Sequence, residues 1–246
     1  MKKHLCIFFF PLLPLAAFSQ IYFTETAAAA GLTSTGYNYG VAAADFNNDG
    51  WEDLFATRLG AACHLFKNNG DGTFTDVAQQ AGVAYVGTPF GIVWADVNND
   101  GWLDLFVGTQ QESNLLYLNN GNETFTNIAW AAGVAAGDKV RAAIFADGDR
   151  DGWVDFYLAR LLKPNILYKN NGASPSGGVT FTDVTLQSGA TDNQIAMGAV
   201  FLDYDNDADP DLYLTHDANQ PFILYQNDGT GHFTDVSAQA GANVAA

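Results

Sequence analysis

One short phrase, Phe-Thr-Asp or a near variant, returns five times along the chain. It stands at Phe23-Thr24-Glu25, Phe74-Thr75-Asp76, Phe125-Thr126-Asn127, Phe181-Thr182-Asp183 and Phe233-Thr234-Asp235, at spacings of 51, 51, 56 and 52 residues. An acidic loop returns in step at Asp45–Asp53, Asp96–Asp104, Asp147–Asp155 and Asp203–Asp211, spaced by 51, 51 and 56. Self-similarity at a fixed period of this size restricts the chain to folds in which one small unit stacks on copies of itself. The extra residues of the third period fall in one turn, Gly172 to Thr180 (GASPSGGVT), as expected of a surface loop.

Each period reads as four short strands. The first runs into the acidic loop, as in Gly91-Ile92-Val93-Trp94-Ala95, and the second leaves it, as in Leu103-Asp104-Leu105-Phe106-Val107. The third is Leu115-Leu116-Tyr117-Leu118, matched by Ile166 to Lys169 and Ile223 to Gln226. A turn rich in Asn and Gly (Asn68-Asn69-Gly70-Asp71-Gly72) then leads into Phe-Thr-Asp-Val, which closes the unit. Alanine-rich stretches such as Ala27 to Ala30 and Ala78 to Ala81 stop at a glycine and read as short linkers. The expectation is an all-β, β-propeller-type array of four-stranded blades. Counted from the Phe-Thr phrases, the units span about 23–73, 74–124, 125–180 and 181–232, with a partial unit at 233–246. Five closing strands against four acidic loops leave one strand over. Three explanations stay open: a missing remainder of the last unit, an open arc, or part of a larger ring.

The loops follow D-x-[ND]-x-D-G-x-x-D. Side chains at positions 1, 3, 5 and 9 offer oxygens, and the carbonyl at position 7 (Trp51, Trp102, Trp153 and Asp209) offers another. Glycine at position 6 permits the reversal that gathers them around one ion. An all-oxygen set of this density selects Ca²⁺ over transition metals. Without a cation, carboxylates a few ångströms apart repel one another. Asp/Asn/Gly loops also build plain solvated turns, but four copies in phase favour cation binding. An EF-hand is excluded, because position 12 is Ala56, Val107, Leu158 or Leu214, each within a strand and none a glutamate.

Sixteen of the 27 acidic residues lie in these loops, so the net charge of −17 is largely theirs. With 10 Lys+Arg, the chain has no basic patch for nucleic acid. The 18 Phe, 10 Tyr and 5 Trp argue for a folded core rather than an acidic disordered tail. Lys2 and Lys3, the apolar run Leu5 to Phe18 and the small residues of Ala17-Phe18-Ser19 read as an export signal over residues 1–19, with 20–246 as the mature repeat domain. The run is shorter than the ~20 residues a membrane span needs. Loss of Cys6 with the signal leaves Cys63 alone, so no internal disulfide is expected. The expected location is secreted, periplasmic or cell-surface.

The loops, the preceding Tyr39-Gly40, Phe90-Gly91 and Met197-Gly198 pairs, and the Phe-Thr-Asp-Val strands together resemble FG-GAP/VCBS repeats. These are the repeats of the integrin α-subunit propeller and of many exported bacterial proteins. The resemblance implies Ca²⁺ in the hairpin between the first two strands of each blade, about four ions in all. It places the ligands on Asp45, Asn47, Asp49 and Asp53, then on Asp96, Asn98, Asp100 and Asp104. Asp147, Asp149, Asp151 and Asp155 follow in the third loop, and Asp203, Asp205, Asp207 and Asp211 in the fourth. Arg141-Ala142 replaces the Phe-Gly pair in unit three and Ala208 replaces the loop glycine in unit four, which implies a weaker fourth site.

No catalytic set stands out. His64, His216 and His232 fall at unrelated repeat positions, and no nucleophile elbow or His-Glu-x-x-His motif occurs. Cys63-His64 reads as a buried thiol beside a surface imidazole. Trp51, Trp102 and Trp153 share one loop position, as a sugar-stacking platform or as packing between blades, while Trp94 and Trp130 break the repeat. Two functions follow. The favoured one is a non-enzymatic, exported, calcium-binding module for extracellular protein or glycan interaction, with self-association through open blade edges. The other is the propeller part of a carbohydrate-active enzyme such as a polysaccharide lyase.

Overall fold

In the computed structural model, which describes residues 23–137, 139–174 and 178–243, sixteen strands form four separate four-stranded antiparallel sheets, each a meander in chain order. The first blade contains β1 (Val41–Ala44), β2 (Asp53–Ala56), β3 (His64–Asn68) and β4 (Phe74–Asp76). The second contains β5 (Pro89–Ala95), β6 (Asp104–Thr109), β7 (Leu115–Asn119) and β8 (Phe125–Asn127). The third is β9 (Val140–Ala146), β10 (Asp155–Arg160), β11 (Ile166–Ala173) and β12 (Val179–Asp183). The fourth is β13 (Ala196–Leu202), β14 (Asp211–His216), β15 (Ile223–Asn227) and β16 (Phe233–Asp235). Each acidic loop joins the first two strands of its blade, and each Phe-Thr strand closes the sheet that precedes it. The proposed export signal and Cys6 lie outside the described residues.

Blades are apolar on both faces because each inner one is sandwiched. All six residues of β6 are buried, and a strand covered on both sides reads as a continuous apolar run. Phe55 and Leu65 of blade one meet Leu105, Val107, Leu115 and Tyr117 of blade two. Phe106 and Leu116 of blade two then meet Phe156, Leu158, Ile166 and Tyr168 of blade three. Tyr157 and Leu167 of blade three meet Leu212, Leu214, Ile223 and Tyr225 of blade four. The first strands touch in order, β1 with β5, β5 with β9 and β9 with β13, and β1 has no comparable packing against β13. Among the described residues the blades therefore form an open arc.

The surplus strand expected at Phe23-Thr24-Glu25 is not one. These residues are irregular, and Phe23 is 96% exposed. A closing strand needs the third strand of its own blade as partner, and none precedes this segment among the described residues. Its continuation, Ala27 to Gly31, is a turn that packs on blade one, where the Phe74 amide donates to the Ala30 carbonyl at 2.8 Å. The segments that follow the closing strands of blades one, three and four are single helical turns, at Ala78–Ala81, Thr185–Ser188 and Ser237–Ala240. Each linker turns at a glycine with positive φ. At Gly189 (φ 80°) a Cβ would lie 2.5 Å from the Phe233 carbonyl oxygen of the next blade, so only glycine allows the approach.

Blades are also stitched by a recurring asparagine, the fifth residue of the third strand. Asn119 Nδ2 donates to the Leu103 carbonyl of its own blade (3.1 Å) and to the Phe46 carbonyl of the blade before (2.8 Å), while its Oδ1 accepts from the Gly121 amide (3.0 Å). Asn170 and Asn227 repeat the cross-blade bond, to the carbonyls of Val97 (2.9 Å) and Gly148 (2.8 Å). Asn68, in blade one, keeps only the bonds within its own blade. Asn119→Ala leaves three backbone groups unpaired in a buried site and is expected to cost about 2–4 kcal/mol, with Asn68→Ala costing about half as much. Denaturant unfolding of the two variants checks this; equal losses would mean that the cross-blade bond contributes nothing.

Candidate metal centres

Four loops with one backbone plan lie between the first two strands of each blade. At position 1, the Asp96 carboxylate accepts from the amides of Asp100 (3.1 Å) and Gly101 (2.8 Å), and Asp45, Asp147 and Asp203 do the same in their loops. At position 5, Asp100 accepts from the Trp102 amide (2.9 Å), and Asp49, Asp151 and Asp207 accept from the amides of Trp51, Trp153 and Asp209. Position 4 takes a left-handed backbone throughout: Asn48 (φ 56°), Asn99 (55°), Arg150 (59°) and Asn206 (63°). Asparagine adopts this conformation readily, which explains its choice in three of the loops. From there Asn48 and Asn99 reach the next loop, bonding the carbonyls of Gly101 (3.0 Å) and Gly152 (2.8 Å). The loops thus form a connected row along one rim of the arc.

Position 9 is the anchor. Asp104, buried at the start of β6, accepts from the amides of Val97 (3.0 Å) and Asn119 (2.8 Å), so it ties the loop to the third strand. Asp53, Asp155 and Asp211 make the equivalent pair of bonds. Burial pushes the Asp53 carboxyl up to about 6 and those of Asp104 and Asp155 up to about 7, against the opposing effect of these amides. Burial raises Asp211 as well, and in all four loops neighbouring carboxylates add to the rise.

Carboxylate oxygens of Asp147, Asp149 and Asp151 lie within 4.8 Å of one another, as do those of Asp203, Asp205 and Asp211. The set is all oxygen and too acidic to be left uncompensated, and it fits a hard divalent cation. The first two loops bring Asp45, Asn47, Asp49 and Asp53, or Asp96, Asn98, Asp100 and Asp104, into the same frame. Asn47 and Asn98 turn their amide nitrogens to the Asp49 and Asp100 carboxylates at 2.9 and 2.8 Å. A cation in these loops would draw on the side-chain oxygens of positions 1, 3, 5 and 9, where it would offset carboxylate repulsion and cross-link the hairpin.

The third and fourth loops depart from this symmetry, by contacts of Lys169, Arg150 and Gln226 and by the expected strain at Ala208. Lys169, on β11, places its ammonium between Asp149 and Asp151, at 2.7 Å from the latter. Burial alone would lower its pKa, but the two carboxylates hold it well above the usual lysine range. Arg150 pairs with Asp209, the position 7 residue of the fourth loop. Ala208 there holds φ 71°, a strained conformation that costs about 1–2 kcal/mol in a residue with a Cβ. Gln226 donates to Asp205 at 2.6 Å.

Trp51, Trp102 and Trp153 stand close against a glycine of their own third hairpin, Gly70, Gly121 and Gly172, where a Cβ would meet the indole at 2.9, 2.9 and 3.1 Å. Trp94 is not a departure from the repeat: it occupies the position of Phe145 and Phe201 and packs edge-on to Phe55 between blades one and two. Trp130 is 79% exposed. Cys63 is buried and unpaired, with its thiol pushed up by burial, and His64 binds the Asp76 carboxylate at 2.6 Å. No helix among the described residues is long and apolar enough to cross a membrane.

An aspartate with a folded pKa above its unfolded value of 3.8 binds its proton more tightly when folded. Its stabilising contribution is complete below that value and is lost as pH rises through the folded pKa. In EDTA, the melting temperature is expected to fall between pH 5 and pH 7, and Asp104→Asn to flatten part of that fall. A slope unchanged by the substitution would remove Asp104 as its source.

The FG-GAP-like repeat family matches this chain at residues 45–107, 96–158 and 149–214. Human cartilage acidic protein 1 is 27% identical over 221 residues, covering 83% of this chain and 32% of its own length. The *Xenopus tropicalis* protein of the same name is 28% identical with similar coverage. The chain therefore spans about a third of these relatives. Mouse integrin alpha-7 is 33% identical over 87 residues, 30% of this chain and 7% of its own. Among solved structures, an *Agrocybe aegerita* lectin that recognises non-reducing terminal N-acetylglucosamine aligns with a TM-score of 0.50 at 19% identity, over 83% of this chain and 54% of its own, and shows the same kind of fold. With matches that run from the first acidic loop into the last blade, the chain belongs to the FG-GAP-like repeat family.

Proposed function

We propose that this chain is a non-enzymatic, calcium-binding interaction module that works outside the cell on a protein or glycan partner. The observation that carries the reading is the row of four acidic loops on one rim, joined from loop to loop by Asn48, Asn99 and Arg150. Calcium would stiffen that rim and neutralise part of the net charge of −17. Kinship with cartilage acidic protein 1 and integrin alpha-7 supports an extracellular setting and a binding role. The lectin's likeness keeps glycans among the partner classes. The expected affinity for the ion is on the order of 10⁻⁴ to 10⁻³ M, the range of extracellular modules.

Two measurements test this. Immobilised glycans and extracellular-matrix proteins are screened with the protein in millimolar calcium and in EDTA. Calcium-dependent capture of a defined partner is expected, whereas turnover of a polysaccharide would replace this reading with the enzymatic one. Calcium titration by calorimetry is then compared for the native chain and Lys169→Met. Because the ammonium competes for Asp149 and Asp151, the substitution is expected to tighten the third loop's affinity about tenfold or more. Identical isotherms would mean that the third loop takes no calcium or that Lys169 leaves it at no cost.

A further inference from the structure

Position 2 of the acidic loop normally sends a side chain into the junction with the next blade. Phe46 does so between blades one and two, Val97 between two and three, and both are almost completely buried. In the third loop the residue is Gly148, and the junction between blades three and four holds a cavity of about 210 Å³. It is lined by the side chains of Leu167, Val184, Phe201 and Phe233, by the buried Asp155 carboxylate and Ser188, and by the more exposed Asp149, Lys169, Gln187, Thr230 and His232. Gly148 has no left-handed backbone that would demand glycine, and a Cβ there would have Phe233 at 3.9 Å and the Asp155 carboxylate at 3.3 Å. Phe46 and Val97 carry side chains while their amides make the same bond to the position 9 aspartate that the Gly148 amide makes. The glycine is therefore not imposed by the turn; it is what leaves the space.

From this geometry we propose that the cavity is a binding site for a small amphiphile, an apolar body of six to eight heavy atoms with one hydrogen-bond-donating head. The size follows from volume, since an apolar cavity of roughly 150 Å³ accepts benzene. The head follows from Asp149, whose Oδ2 is taken by Lys169 while its Oδ1 is buried without a hydrogen-bond partner, an oxygen open to such a ligand only while the third loop holds no calcium. A hydroxyl or amine entering beside the apolar walls would supply the missing donor. Four apolar walls suit a ring or branched alkyl group better than a polyol, so this site is separate from any glycan surface of the proposed module.

The test uses the whole chain in EDTA, so that it stands or falls apart from calcium binding. Benzyl alcohol and toluene are titrated while the methyl resonances of Leu167 and Val184 are followed by NMR. Benzyl alcohol is expected to shift both sets with a dissociation constant on the order of 10⁻³ M, as a ligand of eight heavy atoms allows, and toluene to bind about tenfold more weakly. Gly148→Val, which restores the residue type of Val97, is expected to abolish the shifts and raise the melting temperature by filling the space. Gln187→Trp, an exposed substitution at the rim, is expected to weaken binding and serves if the core variant does not fold. No shift up to the solubility limit, or shifts that persist in both variants, would overturn the site. Equal binding of toluene would overturn the role of Asp149.

Discussion

A carboxylate in the wrong solvent underlies this architecture. Each blade buries one aspartate, Asp53, Asp104, Asp155 or Asp211, at the point where the acidic loop becomes the second strand. Burying an ionised carboxyl without partners is too costly for a marginally stable fold. The chain answers with two backbone amides per carboxylate, one from the loop and one from the third strand. That arrangement fixes the loop's curvature, the register of the third strand and the seat of the asparagine that reaches the neighbouring blade. Local turn, sheet and blade stacking share one polar node, and the apolar packing on either side fills the shape it sets.

The same node explains why the blades are apolar on both faces yet do not collapse into an undefined stack. Hydrophobic contact between Phe106, Leu116 and Phe156 is strong but non-directional. The bond from Asn170 to the Val97 carbonyl is directional and is available at one relative placement of the sheets. Packing thus supplies cohesion, and the buried asparagines supply the blade-to-blade rotation. Where a cavity opens, between blades three and four, Asn227 still holds its bond to the Gly148 carbonyl. The junction keeps its geometry even though the residue that would fill it is missing.

The strands, their order and the acidic loops were legible in the sequence because they repeat: 51-residue spacing superimposes the loops, and strand chemistry follows from each copy. Three things were not. Phe23-Thr24-Glu25 carries the strand motif but lacks a third strand to pair with, and pairing is a property of neighbours that a motif does not contain. Lys169 stands between two loop aspartates, yet in the sequence it is one of four residues, Lys67, Leu118, Lys169 and Gln226, at a position with no common chemistry. The cross-blade asparagines could have been found, since Asn68, Asn119, Asn170 and Asn227 recur in phase. They sit beside Asn-Gly turn residues, and ordinary hairpin chemistry accounted for them too easily.

The two ends of the arc show how far each contact depends on a neighbour. Along its face toward β5, blade one uses Phe55 and Leu65, but its opposite face carries Ala43 where inner blades have Trp94 or Phe145, and His64 where they have Leu115 or Ile166. His64 is tied to Asp76 there, so at these two positions a polar pair stands where inner blades carry apolar bulk. Blade four shows no such trimming. Val200 is 47% exposed at the position where Val93 and Ile144 pack against the next blade, and Leu202, where those blades have Ala95 and Ala146, is 38% exposed. Apolar surface of this kind is tolerated singly but invites association when contiguous. Tyr213 and Phe222, packed edge to face at 6.2 Å, extend it. Blade one is not sealed either: Val41, at the position where Ile92 packs between blades, is 66% exposed on the face that carries Ala43, so both described ends of the arc leave apolar side chains uncovered.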